Sequence, residues 1–241
     1  MMNEATWERW GAVSGLVGVA LGVAGATFER GAPVVGASAE QVAAFFREYR
    51  TELLAQSLLM LLSAGALLWF LGSLRSYLAR AEGGNGYLAT VAFGAGVLGF
   101  GLQAAIQAPQ SALAMASDQP LDPQLAAMIS DLGSAISVVA YVPVAVMLGA
   151  VAVVALHTRA LPAWLGWLSA VTAIIYLVES AGIAVDAGPL ARGGWGTYIP
   201  YTLTVVWLVA VPTAMLNRTR RQVPTIPADT SDDLVGPGPL R

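Results

Sequence analysis

Six stretches of this chain are apolar over close to the ~20 helical residues needed to cross about 30 Å of hydrocarbon. They run near 7–28, 53–74, 87–110, 128–156, 164–185 and 197–216. Between them the chain is short of charge: 11% of its 241 residues are charged, against about 25% in a soluble domain. The predicted fold is all-α, a polytopic membrane protein whose six transmembrane helices form one bundle over residues 1–221. Beyond Leu216 the chain turns arginine-rich and then loses periodicity through Pro224, Pro227, Asp229, Asp232, Asp233, Pro237 and Pro239. Residues 222–241 are therefore expected to be a disordered cytoplasmic tail.

The first span ends on an A-x-A-like pair, Ala24 and Ala26, as a signal peptide would. Its leader carries Glu4 and Glu8 against Arg9 alone, the wrong charge for a signal n-region, so it reads as a retained helix. Arg9, Arg75, Arg80, Arg159, Arg218, Arg220 and Arg221 flank one set of span ends. Arg30, Arg47, Arg50 and Arg192 flank the other, mixed with Glu29, Glu40, Glu48, Glu52, Asp118, Asp122 and Asp186. The positive-inside rule then places both termini in the cytoplasm, with Trp7, Trp10, Trp164 and Trp167 at that interface.

Ser38-Ala39-Glu40-Gln41 has the form of a capping box, and Val42, Phe45, Phe46 and Tyr49 follow at helical spacing. This predicts a short amphipathic helix on the outer face, lying on the surface or extending the second span into water. Asp122-Pro123 is a second start signal, an N-cap acid before a proline at the first helical position.

Several chemistries are excluded by what is missing. Without cysteine there is no disulfide, thiolate nucleophile or iron–sulfur cluster. All 12 basic residues are arginine, so a lysine Schiff base or P-loop lysine is impossible. His157 is the sole histidine, too few for a multi-histidine zinc site or a bis-histidine haem, and its place at the end of span four suits it to the helix dipole. Gly94-x-Gly96-x-x-Gly99 matches a dinucleotide fingerprint in letters only, since a membrane span lies where the strand and soluble crossover should be. No cofactor or metal is expected, and a net charge of −3 from sparse charges argues against nucleic acid.

Gly11, Gly15, Gly18, Gly22 and Gly25 recur at steps of 4, 3, 4 and 3, which puts all five on one face of span one. Such a face lets another backbone approach closely, from the same chain or from a second protein. In span three Ala92, Gly96 and Gly99 lie on one face that continues as Gln103, Gln107 and Gln110.

Counting about 1.5 Å per residue from the cytoplasmic ends places Gln56, Gln103, Tyr141, Glu179 and Tyr201 roughly 22–24 Å up. Gln107 and Asp131 lie further out. Glu179 stands out, because an acid within a span costs about 3 kcal/mol or more to insert. Two roles fit it: a ligand or proton site in an outward-facing cavity, or a hydrogen-bonded pin between helices, with Arg47 and Arg50 the nearest candidate cations. Pro143, Pro200 and Pro212 interrupt spans without the paired pattern of many transporters.

Ser38-Ala39-Glu40-Gln41-Val42 with Phe45-Phe46 and Arg50, then Leu71-Gly72-Ser73-Leu74-Arg75, Arg80-Ala81-Glu82-Gly83-Gly84, and Leu161-Pro162-x-Trp164-Leu165-Gly166-Trp167 resemble a family of small six-span integral membrane proteins of high-GC bacteria, a domain of unknown function. The resemblance runs to about Arg221. It implies a bacterial inner membrane and transfers no catalytic or binding residue.

The first functional reading is a non-enzymatic membrane protein that binds a small molecule or lipid in an outer-half cavity, as a transport or sensing accessory. Glu179, Gln103, Gln107, Gln56, Tyr141, Tyr201 and Asp131 are its candidate ligand-binding residues. The second is a subunit of a homo- or hetero-oligomer docking through the glycine face. The third and weakest is an enzyme using Glu179 as acid or base.

Overall fold

The computed structural model describes residues 4–28, 33, 37–119, 122–184, 196 and 198–221. Among these the regular elements are all helical: α1 (Glu4–Ala26), α2 (Ala39–Glu48), α3 (Arg50–Glu82), α4 (Tyr87–Ala105), α5 (Gln107–Ala116), α6 (Pro123–Thr158), α7 (Ala163–Glu179), a 3-10 turn (Ser180–Ala184) and α8 (Tyr198–Arg221). Six segments are long and apolar enough to cross a membrane: Thr6–Ala26, Arg50–Glu82, Tyr87–Ala116, Pro123–Thr158, Ala163–Ala184 and Tyr198–Asn217. The chain is thus a multi-pass membrane protein. The expected tail and the span ends at 185 and 197 lie outside the described residues.

Each expected span falls on one of these segments, but α3 and α6 overrun the expectation. At 33 and 36 residues they are about 50 and 54 Å long, well beyond the hydrocarbon thickness. Their extra turns carry the polar residues at which the apolar runs stop, because a helix bonds its own backbone in water as it does in lipid.

The helices pack in a ring that follows chain order: α1 against α3, α3 against α4, α4 against α6, α6 against α7, α7 against α8, and α8 back against α1. An even number of crossings brings the start of α1 and the end of α8 to one end of the bundle. The loop carrying α2 is at the other. The first close packing is α1 on α3. A Cβ at Gly11 would collide with Ser73, one at Gly15 would lie 2.9 Å from Phe70, and one at Gly18 would lie 2.8 Å from Leu67. Gly22 faces Ser63 and Gly25 faces Met60, so the partner of the glycine face is α3 of the same chain. Across that contact the Ser63 hydroxyl donates to the Gly18 carbonyl at 2.7 Å.

The half of the ring nearer the termini is solid. Trp207, Phe70, Leu74, Met147 and Leu148 are all buried there. The Trp207 indole N–H donates to Ser169 Oγ at 2.7 Å, and Ser169 passes its own proton to the Leu165 carbonyl, tying α8 to α7. Glu82 caps the start of α4 by accepting from the Leu88 and Ala89 amides, after a turn in which Gly86 takes a left-handed conformation (φ 58°).

At the other end α2 has its capping box: Ser38 Oγ accepts from the Gln41 amide, and the Gln41 side chain accepts from the Ser38 amide. The helix breaks at Tyr49, and Val42, Ala43, Phe45 and Phe46 pack with Leu53 of α3, Leu113 and Ala114 of α5 and Ala126 of α6. Its apolar face is satisfied by protein and forms a roof over the bundle. Arg50 holds that roof's margin, pairing with Asp118 at 2.9 Å and donating to the Ala114 carbonyl.

Candidate ligand cavity beneath the roof helix

Below α2 the ring does not close on itself. Where α1 and α3 present Gly18, Gly22 and Ala64, and α6 presents Gly133, Ser134 and Ser137, little side-chain volume reaches the axis, and a cavity of about 620 Å³ remains. Natural interiors hold few voids larger than a water molecule, and this one has room for on the order of twenty. That is the size of a binding pocket, not of a packing fault.

Its walls are graded. Leu67, Phe100, Val144 and Leu208 make an apolar floor at mid-bundle, and Phe45, Phe46 and Val42 make an apolar roof. Between them lies a polar belt: Gln56 from α3, Gln103, Gln107 and Gln110 from the third span, Ser130, Asp131, Ser134, Ser137 and Tyr141 from α6, Tyr176 from α7, and Tyr201 and Thr204 from α8.

The third span loses a backbone hydrogen bond at this level. Pro109 has no amide to give the Ala105 carbonyl, so the ladder is interrupted between α4 and α5 at Ile106, which keeps a helical conformation (φ −59°, ψ −28°). Interrupted backbone at membrane depth is tolerated where it is buried in protein or lines a cavity. Here the joint does line one, with Gln103, Ala104, Ile106, Gln107, Pro109 and Gln110 all in the wall.

Much of the belt is internally bonded. Gln110 Nε2 donates to Gln56 Oε1 at 3.0 Å and more loosely to Ser57 Oγ at 3.4 Å. The hydroxyls of Tyr176 and Thr204 share a hydrogen bond at 2.9 Å, and the Tyr176 ring lies 5.3 Å from that of Tyr141. Gln107 differs. It is only 8% exposed, it lines the cavity, and its Oε1 is buried with no hydrogen-bond partner. A buried acceptor left open costs about 1–3 kcal/mol. Among the described lining residues Asp131 is the one charged side chain, so nothing in the wall neutralises an anion.

Of the seven residues expected to bind a ligand, the fold brings Gln56, Gln103, Gln107, Asp131, Tyr141 and Tyr201 onto this wall. Glu179, one turn beyond Tyr176, is buried but is not in the wall. Arg50, expected near it, is engaged with Asp118 instead, and Arg47 is exposed. Among the described residues no hydrogen bond or ion pair reaches Glu179. Six residues of the polar belt, Gln110, Ser130, Ser134, Ser137, Tyr176 and Thr204, were not foreseen as ligand-binding. Pro109, four residues after Ala105 and flanked by glutamines, is the signal in the sequence that marks the break.

No family model, curated protein or solved structure matches this chain.

Proposed function

We propose that the protein binds a small amphiphilic molecule or lipid in this cavity, as a transport or sensing accessory in a bacterial inner membrane, with no reaction of its own. Both termini face the cytoplasm, and α2 roofs the cavity on the outer side. The sorting of the arginines supports this orientation. So do the exposed Trp7, Trp10, Trp164 and Trp167, placed where interfacial anchors belong.

The single observation that carries the reading is the cavity itself, about 620 Å³ with a polar belt of amides and hydroxyls between an apolar floor and an apolar roof. A space of that size and grading suits an amphiphile, whose chain and headgroup meet matching walls. The alternative, docking through the glycine face, has lost its surface, since α3 covers that face. An enzyme built on Glu179 would need that residue at the cavity, where it is not.

Native mass spectrometry of protein released together with its surrounding lipid tests the proposal. The wild type is expected to retain a defined small molecule or lipid that Gln107→Leu loses. Bulk lipid alone on both would overturn it.

A further inference from the structure

A second, smaller cavity of about 320 Å³ lies between α1 and α8 at the α2 end. Its walls are Val23, Ala26 and Thr27 of α1 and Tyr201, Thr202 and Val205 of α8. Three of these, Val23, Tyr201 and Val205, also line the main cavity, so the two spaces meet at one thin wall. The α1–α8 seam explains why the opening is here. Nearer the termini it is tight, with Pro212 3.0 Å from where a Cβ of Gly15 would stand. Toward α2 it splays, and Val23 and Tyr201 are 45% and 47% exposed. All six residues belong to membrane-crossing segments or the turn that ends one, so the crevice faces the upper acyl region of one leaflet and not bulk water.

The shape and chemistry of the main cavity narrow what could pass. Along α6 its wall runs from Ala127 to Val144, about 25 Å of helix. A volume of about 620 Å³ along that length makes the cavity elongated. The apolar floor suits the chain, and the belt above it suits a headgroup. Asp131 and the lack of a cationic side chain among the described lining residues disfavour an anion.

We infer that the ligand is an amphiphile without an anionic headgroup that enters sideways from the bilayer between α1 and α8. This rests on the cavity being a binding site, so the test separates route from site. Protein in lipid vesicles is loaded with a monoacylglycerol carrying a photoreactive group on its chain, and with the fatty acid and alkylamine of equal chain length. Loading rate and final occupancy are both read.

The monoacylglycerol and the amine should both give higher occupancy than the acid, and photolysis during loading should label Ala26, Thr27 or Thr202 before floor residues such as Leu67. Plugging the crevice with Ala26→Trp or Thr202→Trp, at positions outside the main cavity wall, should slow loading about tenfold, the effect of about 1.4 kcal/mol on a barrier, and leave final occupancy unchanged. Val209→Trp, at another exposed position on α8, should change neither and controls for the added bulk. Unaltered loading in both plugged variants with normal occupancy would overturn the lateral route and leave the site standing. Preference for the acid would overturn the headgroup assignment. No saturable binding of any of the three by the wild type would overturn the inference together with the site.

Discussion

Gln107 is held in the protein at a cost, and this gives it an unusual mutational signature. Replacing it with leucine removes the open acceptor at similar volume. Gln107→Leu should therefore raise the stability of the ligand-free protein by up to about 1–3 kcal/mol while abolishing binding. Gln110 is the contrast, because Gln110→Leu takes the donor from Gln56 Oε1 and should destabilise the fold. Thermal denaturation in detergent, with and without added amphiphile, reads both; a destabilised Gln107→Leu would contradict the assignment. Outside the bundle, Glu40 sits at the start of α2, where its own backbone amide and the Ser38 hydroxyl hold its carboxyl below the usual 4.5. A carboxyl lowered in the folded state adds stability above its unfolded value and loses it as pH falls through the folded one. The protection of amides in the first turn of α2, taken relative to their intrinsic exchange rate at each pH, should therefore fall below about pH 4.5 in the wild type and lose that dependence in Glu40→Gln. Glu179 shows how far single residues could be read from sequence. Helix rise places it at the depth of Gln103 and Tyr141, but rise says nothing of azimuth, and the rotation of α7 against its neighbours leaves Glu179 out of the wall that Tyr176 joins.

At the scale of the element, the glycine face of α1 was legible because steps of 4 and 3 can only make one stripe. Its partner was not, since a stripe of small residues accepts any close backbone; the contacts with Ser63, Leu67, Phe70 and Ser73 assign it to α3. A leucine at Gly18 would run into Leu67 and come within 3.2 Å of the Ser63 carbonyl, so Gly18→Leu should cost about 1–3 kcal/mol or more through overpacking and show as loss of folded monomer. Gly94, in another span, has nothing within 4 Å of its Cβ position, so Gly94→Leu should be neutral or stabilising by up to about 1 kcal/mol through helix propensity. Equal damage from both substitutions would contradict the assigned packing. The break between α4 and α5 was missed for a different reason. The third span was expected to end at Gln110, whereas apolar residues beyond Pro109 carry the helix on to Ala116.

On the scale of the molecule, six apolar runs made the crossings readable, but run length carries no information about which helices touch. The ring in chain order, and hence the cavity at its centre, depends on how each face is rotated, which side-chain packing decides. The chain's lack of cysteine makes its orientation directly testable. Asn85→Cys, in the turn between α3 and α4, should react with an impermeant thiol reagent only from the cytoplasmic side, and Gln119→Cys, after α5, only from the outer side. The reverse pattern would invert the proposed topology and place the roof helix inside the cell.

The most direct measurement of all is an experimental structure of the protein in discs of its native membrane, at a resolution that separates a hydrocarbon chain from ordered water. A binding cavity predicts one continuous elongated density from the level of Gln107 down toward Leu67 and Leu208, with its polar end in hydrogen-bond reach of the belt's amides and hydroxyls. A cavity collapsed by inward movement of the helices, or holding only scattered water, would contradict it.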